Sequence, residues 1–309
     1  MKTIAICSGK GGAGKTVFAS ALATMLAELG MKVLLVDADY SVGGLTYLTR
    51  KTDAVAKDLF FENIINGTAK LGDHISDLRD RPIAVIPSAT QGSSLMTDMS
   101  VETTHGACCE FIVACEAPPL AIDYLIVDTR AGLDPISAGV ALASNIVIVL
   151  MEQDRVSFRS SHAFVTNVLA LSQAKEIVSV SRAEDYYYVP NKVSPGYAQA
   201  LRASAVLGGA GNVLPGIPLD LNFFNRYFTD IFNYQPQGHS WQRTAFYRYL
   251  RDSMSEVIDS LPSVRHSSYL TAFDTLKFNF ASSPQTTAFV VLLLFYTFTM
   301  YIYWLTGRI

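Results

Sequence analysis

Short apolar runs recur along the first two-thirds of the chain, each followed by a turn and then by apolar residues at helical spacing. Thr3-Ile4-Ala5-Ile6-Cys7 is a β-branched run of the kind that predicts a buried strand. Val17 to Leu29 carries Ala and Leu at helical spacing and stops at Gly30, which predicts a glycine-capped helix. Met31 to Asp39 predicts a second strand, ending in the carboxylates Asp37 and Asp39. Further strands are expected at Pro82–Ala89, Ile122–Asp128, the end of Val140–Leu150 and Tyr186–Val193. Helices are expected within Met151–Leu171 and Trp241–Ile258. Turns at Gly43-Gly44 and Asn66-Gly67 break residues 41–80 into short pieces such as Val55 to Ile65. Ser93 to Pro119 is the least readable stretch, although Phe111, Ile112 and Val113 fit a helix packing on the sheet. Strands alternating with helices predict an α/β fold, with a mostly parallel central sheet and helices on both faces.

One loop in this pattern carries chemistry. Gly9-Lys10-Gly11-Gly12-Ala13-Gly14-Lys15-Thr16 reads G-x-x-x-x-G-K-[ST] between the first strand and the first helix. That context makes it a P-loop, whose backbone N–H groups and helix N-terminus cradle phosphates. Gly11, Gly12, Ala13, Gly14, Lys15, Thr16 and Val17 are the expected nucleotide-binding residues. Lys15 is expected to reach the β- and γ-phosphates, and the Thr16 hydroxyl to ligate Mg²⁺. Ile122-Asp123-Tyr124-Leu125-Ile126-Val127-Asp128 ends an apolar run on a carboxylate, so Asp128 is the second expected metal residue. Asp39, at the end of another strand, faces the crevice where open α/β sheets bind ligands.

The segment Lys10 to Thr16 also resembles the deviant Walker A loop, KGGxxK[ST], of the MinD/ParA family of ATPases. That resemblance implies ATP and Mg²⁺ as cofactors, slow partner-stimulated hydrolysis and a homodimer closed through the nucleotide face. It implies that Lys10 crosses the dimer interface to the partner's nucleotide, a cation delivered on association. Asp39, in a VDxD-like segment, would then orient the attacking water and help hold the metal shell, with Asp37 behind it. Lys10, Lys15 and Asp39 are thus the expected catalytic residues, and Thr16, Asp39 and Asp128 the metal set. Asp128 to Gly132 resembles the DxPAG switch II, except that Arg130 stands in the proline position. Proline fixes φ, so its absence leaves that loop less restrained, and an arginine there can reach phosphate or a partner. Asn191 resembles the purine-reading Asn of the family, and Pro218 its base-flanking IPxD segment. Glu152 to Arg155 matches the TxPE-type segment only loosely.

Composition narrows the alternatives. The 309 residues are 50% hydrophobic and 17% charged, with a net charge of −3 and a pI near 6.0. No basic stripe favours nucleic acid. The aromatic and arginine residues between Leu221 and Ser260 instead suit an amphipathic packing helix, diluted by acids. His105, Cys108, Cys109 and Cys115 lack the paired spacing of zinc sites, and the cysteines are expected to be buried thiols. No signal-like stretch precedes the first strand, so the expectation is a cytosolic body with reduced cysteines.

The far end of the chain carries a second organising feature. Phe278 to Gly307 holds no charged residue, and Ala288 to Leu305 is almost wholly apolar. As a helix with its threonine flanks it would span roughly 27–30 Å, about the hydrocarbon thickness. Tyr301, Tyr303 and Trp304 cluster near its end as interfacial aromatics do. The expected organisation is an ATPase domain over residues 1–262, a linker over 263–285 and a transmembrane tail anchor over 286–306. The expected protein is single-pass in the cell membrane, its ATPase domain on the cytoplasmic side, recruiting or regulating a protein partner there. A nucleotide-dependent structural subunit with little turnover is the alternative. DNA partitioning and tyrosine phosphorylation are weaker rivals.

Overall fold

The computed structural model describes residues 1–49, 59–74, 78, 81–89, 99–194, 212–220, 223 and 244–258. The predicted linker, residues 263–285, and membrane anchor, residues 286–306, lie outside them. Among the described residues no helix is long and apolar enough to cross a membrane.

Eight strands form the described sheet: β1 (Lys2–Cys7), β2 (Val33–Ala38), β3 (Ile83–Ile86), β4 (Tyr124–Thr129), β5 (Ile146–Met151), β6 (Tyr186–Val193), β7 (Asn212–Val213) and β8 (Ile217–Pro218). Their order is β3-β2-β4-β1-β5-β6-β7, with β8 also pairing β6. Every pairing is parallel. Parallel strands buried on both faces read as unbroken apolar runs rather than as alternation. The fully buried Val33–Ala38, Tyr124–Thr129 and Ile146–Met151 have that character.

Helices α1 (Lys15–Glu28) and α7 (Ala245–Ser255) cover one face, packing Phe18, Leu22, Phe246 and Leu250 onto Ile4, Ile6 and Ile126. Helices α4 (Val101–Glu116), α5 (Pro135–Ala143) and α6 (Arg155–Ala174) cover the other with Phe111, Leu142 and Phe164. Between β2 and β3 lie α2 (Gly44–Thr49) and α3 (Phe61–Ile65). The doubly covered sheet agrees with the expected α/β class.

Helix α4 lies inside the least readable stretch and contains the Phe111–Val113 residues expected to be helical. Its buried residues are Thr104, Cys108, Phe111 and Cys115, one narrow stripe at helical spacing. Cys108 and Cys115 are the buried thiols expected there, whereas Cys109 is only half-buried and lies 3.6 Å from His105 Nε2. No group of three or more His, Cys, Asp or Glu that could hold a metal occurs among the described residues. Of the helical piece expected over Val55–Ile65, Phe61–Ile65 is helical and residues 55–58 lie outside the description. The last helix begins at Ala245, and Trp241 lies outside the description.

Candidate nucleotide site

β1 ends at the sheet's centre, flanked by β4 and β5, and the loop that leaves it turns directly into α1. Gly12 and Gly14 adopt φ of +83° and +90°, a left-handed backbone that strains any residue with a Cβ. Gly14 is the N-cap of α1. No side chain caps that helix, and no acid sits in its first turn. The longer helices that follow are built otherwise: Ser100, Asp134, Asp154 and Thr244 each accept backbone N–H bonds at the start of α4 to α7. The first amides of α1 are therefore left for an anion.

A cavity of about 590 Å³ opens above this helix end. Gly11, Gly12, Gly14, Lys15, Thr16, Val17, Asp39, Asn191 and Pro218 line it, joined by Arg130, Lys192 and Phe246. The fold thus brings together P-loop residues, a β2-end carboxylate and a β6-end amide from positions up to two hundred residues apart. Ala13 is buried beneath the loop, and its carbonyl accepts a bond from Asn191 Nδ2 at 2.8 Å. Asn191 therefore supports the loop as well as facing the cavity.

Asp128 lies beside Asp37 in the β2–β4 register, and both are buried. Their surroundings differ. Asp37 Oδ2 accepts from the Thr46 amide and hydroxyl, each at 2.7 Å, and Oδ1 accepts from the Asp39 amide at 3.0 Å. Neither oxygen of Asp128 meets a hydrogen-bond partner of good geometry among the described residues. Burial, then the Asp37 charge, pushes Asp128 up to about 7, against the opposing pull of Lys15 and the Thr16 hydroxyl. Burial likewise raises Asp37 to about 6. An orphaned buried carboxylate next to the Thr16 hydroxyl fits a divalent cation and its water shell. The residues present therefore suit Mg²⁺ with a bound triphosphate.

Asp39 stands at the cavity edge, where Oδ1 accepts from the Ser41 amide and hydroxyl and from the Val42 amide. A buried relay fixes the loop behind it. Thr46 Oγ1 accepts from the Ser88 amide at 2.8 Å, and the Ser88 hydroxyl donates to Glu62 and reaches the Asp39 carbonyl. Glu62 and Ser88 had no signal in the sequence beyond a strand-end Pro-Ser.

The two P-loop lysines are used differently. Lys15 is 8% exposed and lines the cavity. Lys10 is on the rim, its Nζ 3.1 Å from Asp154 and 3.5 Å from Glu152. Glu152 also pairs with Lys192 at 2.9 Å, and Lys192 donates to the Gly12 carbonyl. The loosely matched segment Glu152–Arg155 thus supplies the acids that hold Lys10 within its own subunit. In the switch II segment the Gly132 amide donates to the Ser8 carbonyl at 2.8 Å, and Arg130 donates to Tyr40 Oη at 3.0 Å. At the far end of the cavity Phe246 stacks on Phe223, ring centroids 3.9 Å apart, with both amides held by Asp220. Phe246 was expected only to pack; it packs and also faces the cavity.

A strand-loop-helix phosphate cradle at the centre of a parallel sheet, with a buried acid on the neighbouring strand, defines a P-loop nucleotide-binding protein. Residues 1–179 match the AAA domain family, and the chain belongs to it, within the MinD/ParA group of P-loop ATPases. It is 29% identical over 208 residues to the septum site-determining protein MinD of Buchnera aphidicola, covering 63% of this chain and 70% of that one. It shares its fold with MinD of Pyrococcus horikoshii complexed with Mg-ADP, at a TM-score of 0.58 and 19% identity over 84% of this chain and 98% of that one. The MinC:MinD cell division protein complex of Aquifex aeolicus matches at a TM-score of 0.56 and 19% identity, over 86% of this chain and all of that one.

Proposed function

We propose that this protein is a membrane-anchored ATPase that dimerises around ATP and Mg²⁺ and uses binding and hydrolysis to recruit or regulate a protein partner at the membrane. The observation that carries the catalytic half is the orphaned carboxylate of Asp128 beneath a cavity lined by Lys15, Thr16 and Asp39. A MinD solved with Mg-ADP and another solved with MinC support nucleotide use and partner binding. The charge-free stretch from Phe278 to Gly307 supports the anchor.

In this reading Gly11 to Thr16 and the open start of α1 bind the phosphates, and Asn191, Pro218 and Phe246 flank the base. Asp39 orients the attacking water, placed by Asp37 through its own amide. Bound Mg²⁺ supplies charge neutralisation of the phosphoryl oxygens. Lys10 leaves Asp154 and Glu152 to reach the other subunit's nucleotide. Hydrolysis is slow until the partner is bound. A spanning helix cannot leave the bilayer, so the nucleotide governs dimerisation or capture at a fixed surface, not cycling on and off lipid. The body sits on the cytoplasmic side.

Proteins co-purifying with the full chain in detergent are compared with those on a Lys15→Ala chain. Loss of the partner set with Lys15→Ala is expected, and an unchanged set overturns nucleotide-governed recruitment. A chain ending at residue 285 is expected in the soluble fraction; its retention with membranes overturns the anchor.

A further inference from the structure

Arg130 stands two residues beyond Asp128, on the loop that leaves β4. Its carbonyl lies 3.2 Å from the Ser137 and Thr129 hydroxyls, whose shorter bonds go to Asp134 and to the Ile6 carbonyl. Its side chain lines the same cavity as Lys15, Thr16 and Asp39. There Nη1 donates to Tyr40 Oη, and the guanidinium carbon lies 5.3 Å from the centre of the Tyr40 ring. Tyr40 is itself 7% exposed and packed into the core, so it forms a rigid rest. Asp134 and Asp39 are the nearest acids, yet neither forms an ion pair with Arg130 among the described residues. A guanidinium has five N–H donors, and Tyr40 takes one. Lys192, which also lines the cavity, is engaged by Glu152 and the Gly12 carbonyl, and Lys10 nearby is engaged by two carboxylates.

We propose that Arg130 binds the γ-phosphate of ATP inside its own subunit, and that Tyr40 parks it at the cavity until a triphosphate arrives. The proposal rests on the ATPase reading above. A paired guanidinium–phosphate contact is stronger than a bond to a neutral phenol, so the terminal phosphate draws Arg130 off Tyr40. ADP lacks that phosphate, and with ADP the arginine stays parked. The residue that replaces a conformational restraint in this loop thereby becomes the group that tells tri- from diphosphate. Because Tyr40 follows Asp39 directly, release of Tyr40 also reports the nucleotide state to the segment that carries the water-orienting acid.

The test is calorimetric titration of the full chain in detergent with Mg-ADP and with Mg-AMPPNP, a non-hydrolysable triphosphate. Arg130→Ala is expected to weaken AMPPNP about tenfold and to leave ADP within about twofold. Arg130→Lys, a point charge without the fork, is expected to lie between the two. Equal loss for both nucleotides, or loss for neither, overturns the proposal. Retained ADP binding certifies a folded site; should Arg130→Ala fail to fold, Arg130→Gln is judged by the same ratio. A wild-type chain that binds neither nucleotide overturns the ATPase reading itself, an outcome distinct from an unchanged ratio.

Discussion

The loop from Gly9 to Thr16 turns on its glycine backbone and is braced from outside by Asn191 and Lys192, whereas the segments facing it, Asp37 to Thr46 and Asp128 to Ser137, are held largely by their own side chains. In the loop, Gly12 and Gly14 lie at positive φ, and Gly9 leaves no room for a Cβ, which would meet the Ser160 backbone at 2.1 Å. In the facing segments, Asp37, Thr46 and Asp134 bind amides and hydroxyls, Thr46 reaching the Ser88 amide after β3, and the acids among them titrate high because they are buried. The cradle is thus preformed and indifferent to pH. The facing segments are held by bonds that a proton or a bound cation can alter.

The largest effect is expected where the backbone device is broken. A Cβ at Gly14 would sit 2.6 Å from Asn191 Nδ2, on a residue at φ +90°. Gly14→Ala should cost about a hundredfold or more in Mg-ADP affinity, since strain and displacement of Asn191 add. Titration calorimetry checks it. Affinity within tenfold of wild type would show that the cradle is not preformed.

Next comes pH, which separates the two regions. Asp37 at about 6 and Asp128 at about 7 bind protons more tightly in the folded chain than the ordinary carboxylate value near 3.8. The native state then holds more protons than the unfolded state between those values. Stability of the nucleotide-free protein should fall as pH rises from about 4 to about 7, the reverse of the usual paired carboxylate. Mg²⁺ requires ionised Asp128, so its affinity should rise over the upper part of that window. Melting temperatures at pH 5.5 and 7.5 are expected to differ by several degrees without ligand and to converge with Mg-ADP. Asp128→Asn should flatten the apo slope, and a slope unchanged in that variant would refute the assignment.

These two regions were unequally legible in the sequence. The cradle was readable because its glycines, lysine and threonine are contiguous, and each encodes a backbone or ligand requirement on its own. Asp128 was readable for the same reason, as a carboxylate ending four apolar residues. Tyr40, Glu62, Ser88 and Phe246 were not, because their roles arise only once the parallel register sets β2, β3 and β4 side by side and brings α7 over the mouth. Helix α4 was legible only around Phe111 to Val113, although Ser100 marks its start, since only one narrow stripe of it is buried. Asn191, expected to read a purine, lines the cavity, but its bond to the Ala13 carbonyl depends on a contact 178 residues away in sequence.

A smaller effect is expected from loosening the side-chain frame alone. Thr46 is buried, donates to Asp37 and accepts from the Ser88 amide. Thr46→Val removes that hydroxyl and leaves both partners short, at a cost of about 2 kcal/mol in stability. Mg-ADP affinity should survive, because the cradle does not depend on this bond. Denaturant unfolding alongside titration decides it, and a parallel loss of both would merge the two regions into one unit.

The smallest effect concerns the rim, where backbone and charge meet in one residue. Asp154 caps α6 through the Val156 and Ser157 amides and also holds Lys10 at 3.1 Å. Asparagine caps helices about as well as aspartate does but carries no charge, so Asp154→Asn separates the two roles. Asp154→Ala should lower the melting temperature slightly, and Asp154→Asn should not. If Lys10 must leave Asp154 to reach the other subunit, Asp154→Asn should also lower the AMPPNP concentration needed for half-maximal dimer by a factor of about two, an exposed pair being worth little more. That shift should shrink at high salt, because a surface ion pair is screened in the wild type as well. Light scattering across an AMPPNP titration measures it. A dimerisation midpoint that is the same in both proteins at low salt would mean that the cis contact to Asp154 does not restrain Lys10. The restraint would then fall to Glu152, which Lys192 already shares.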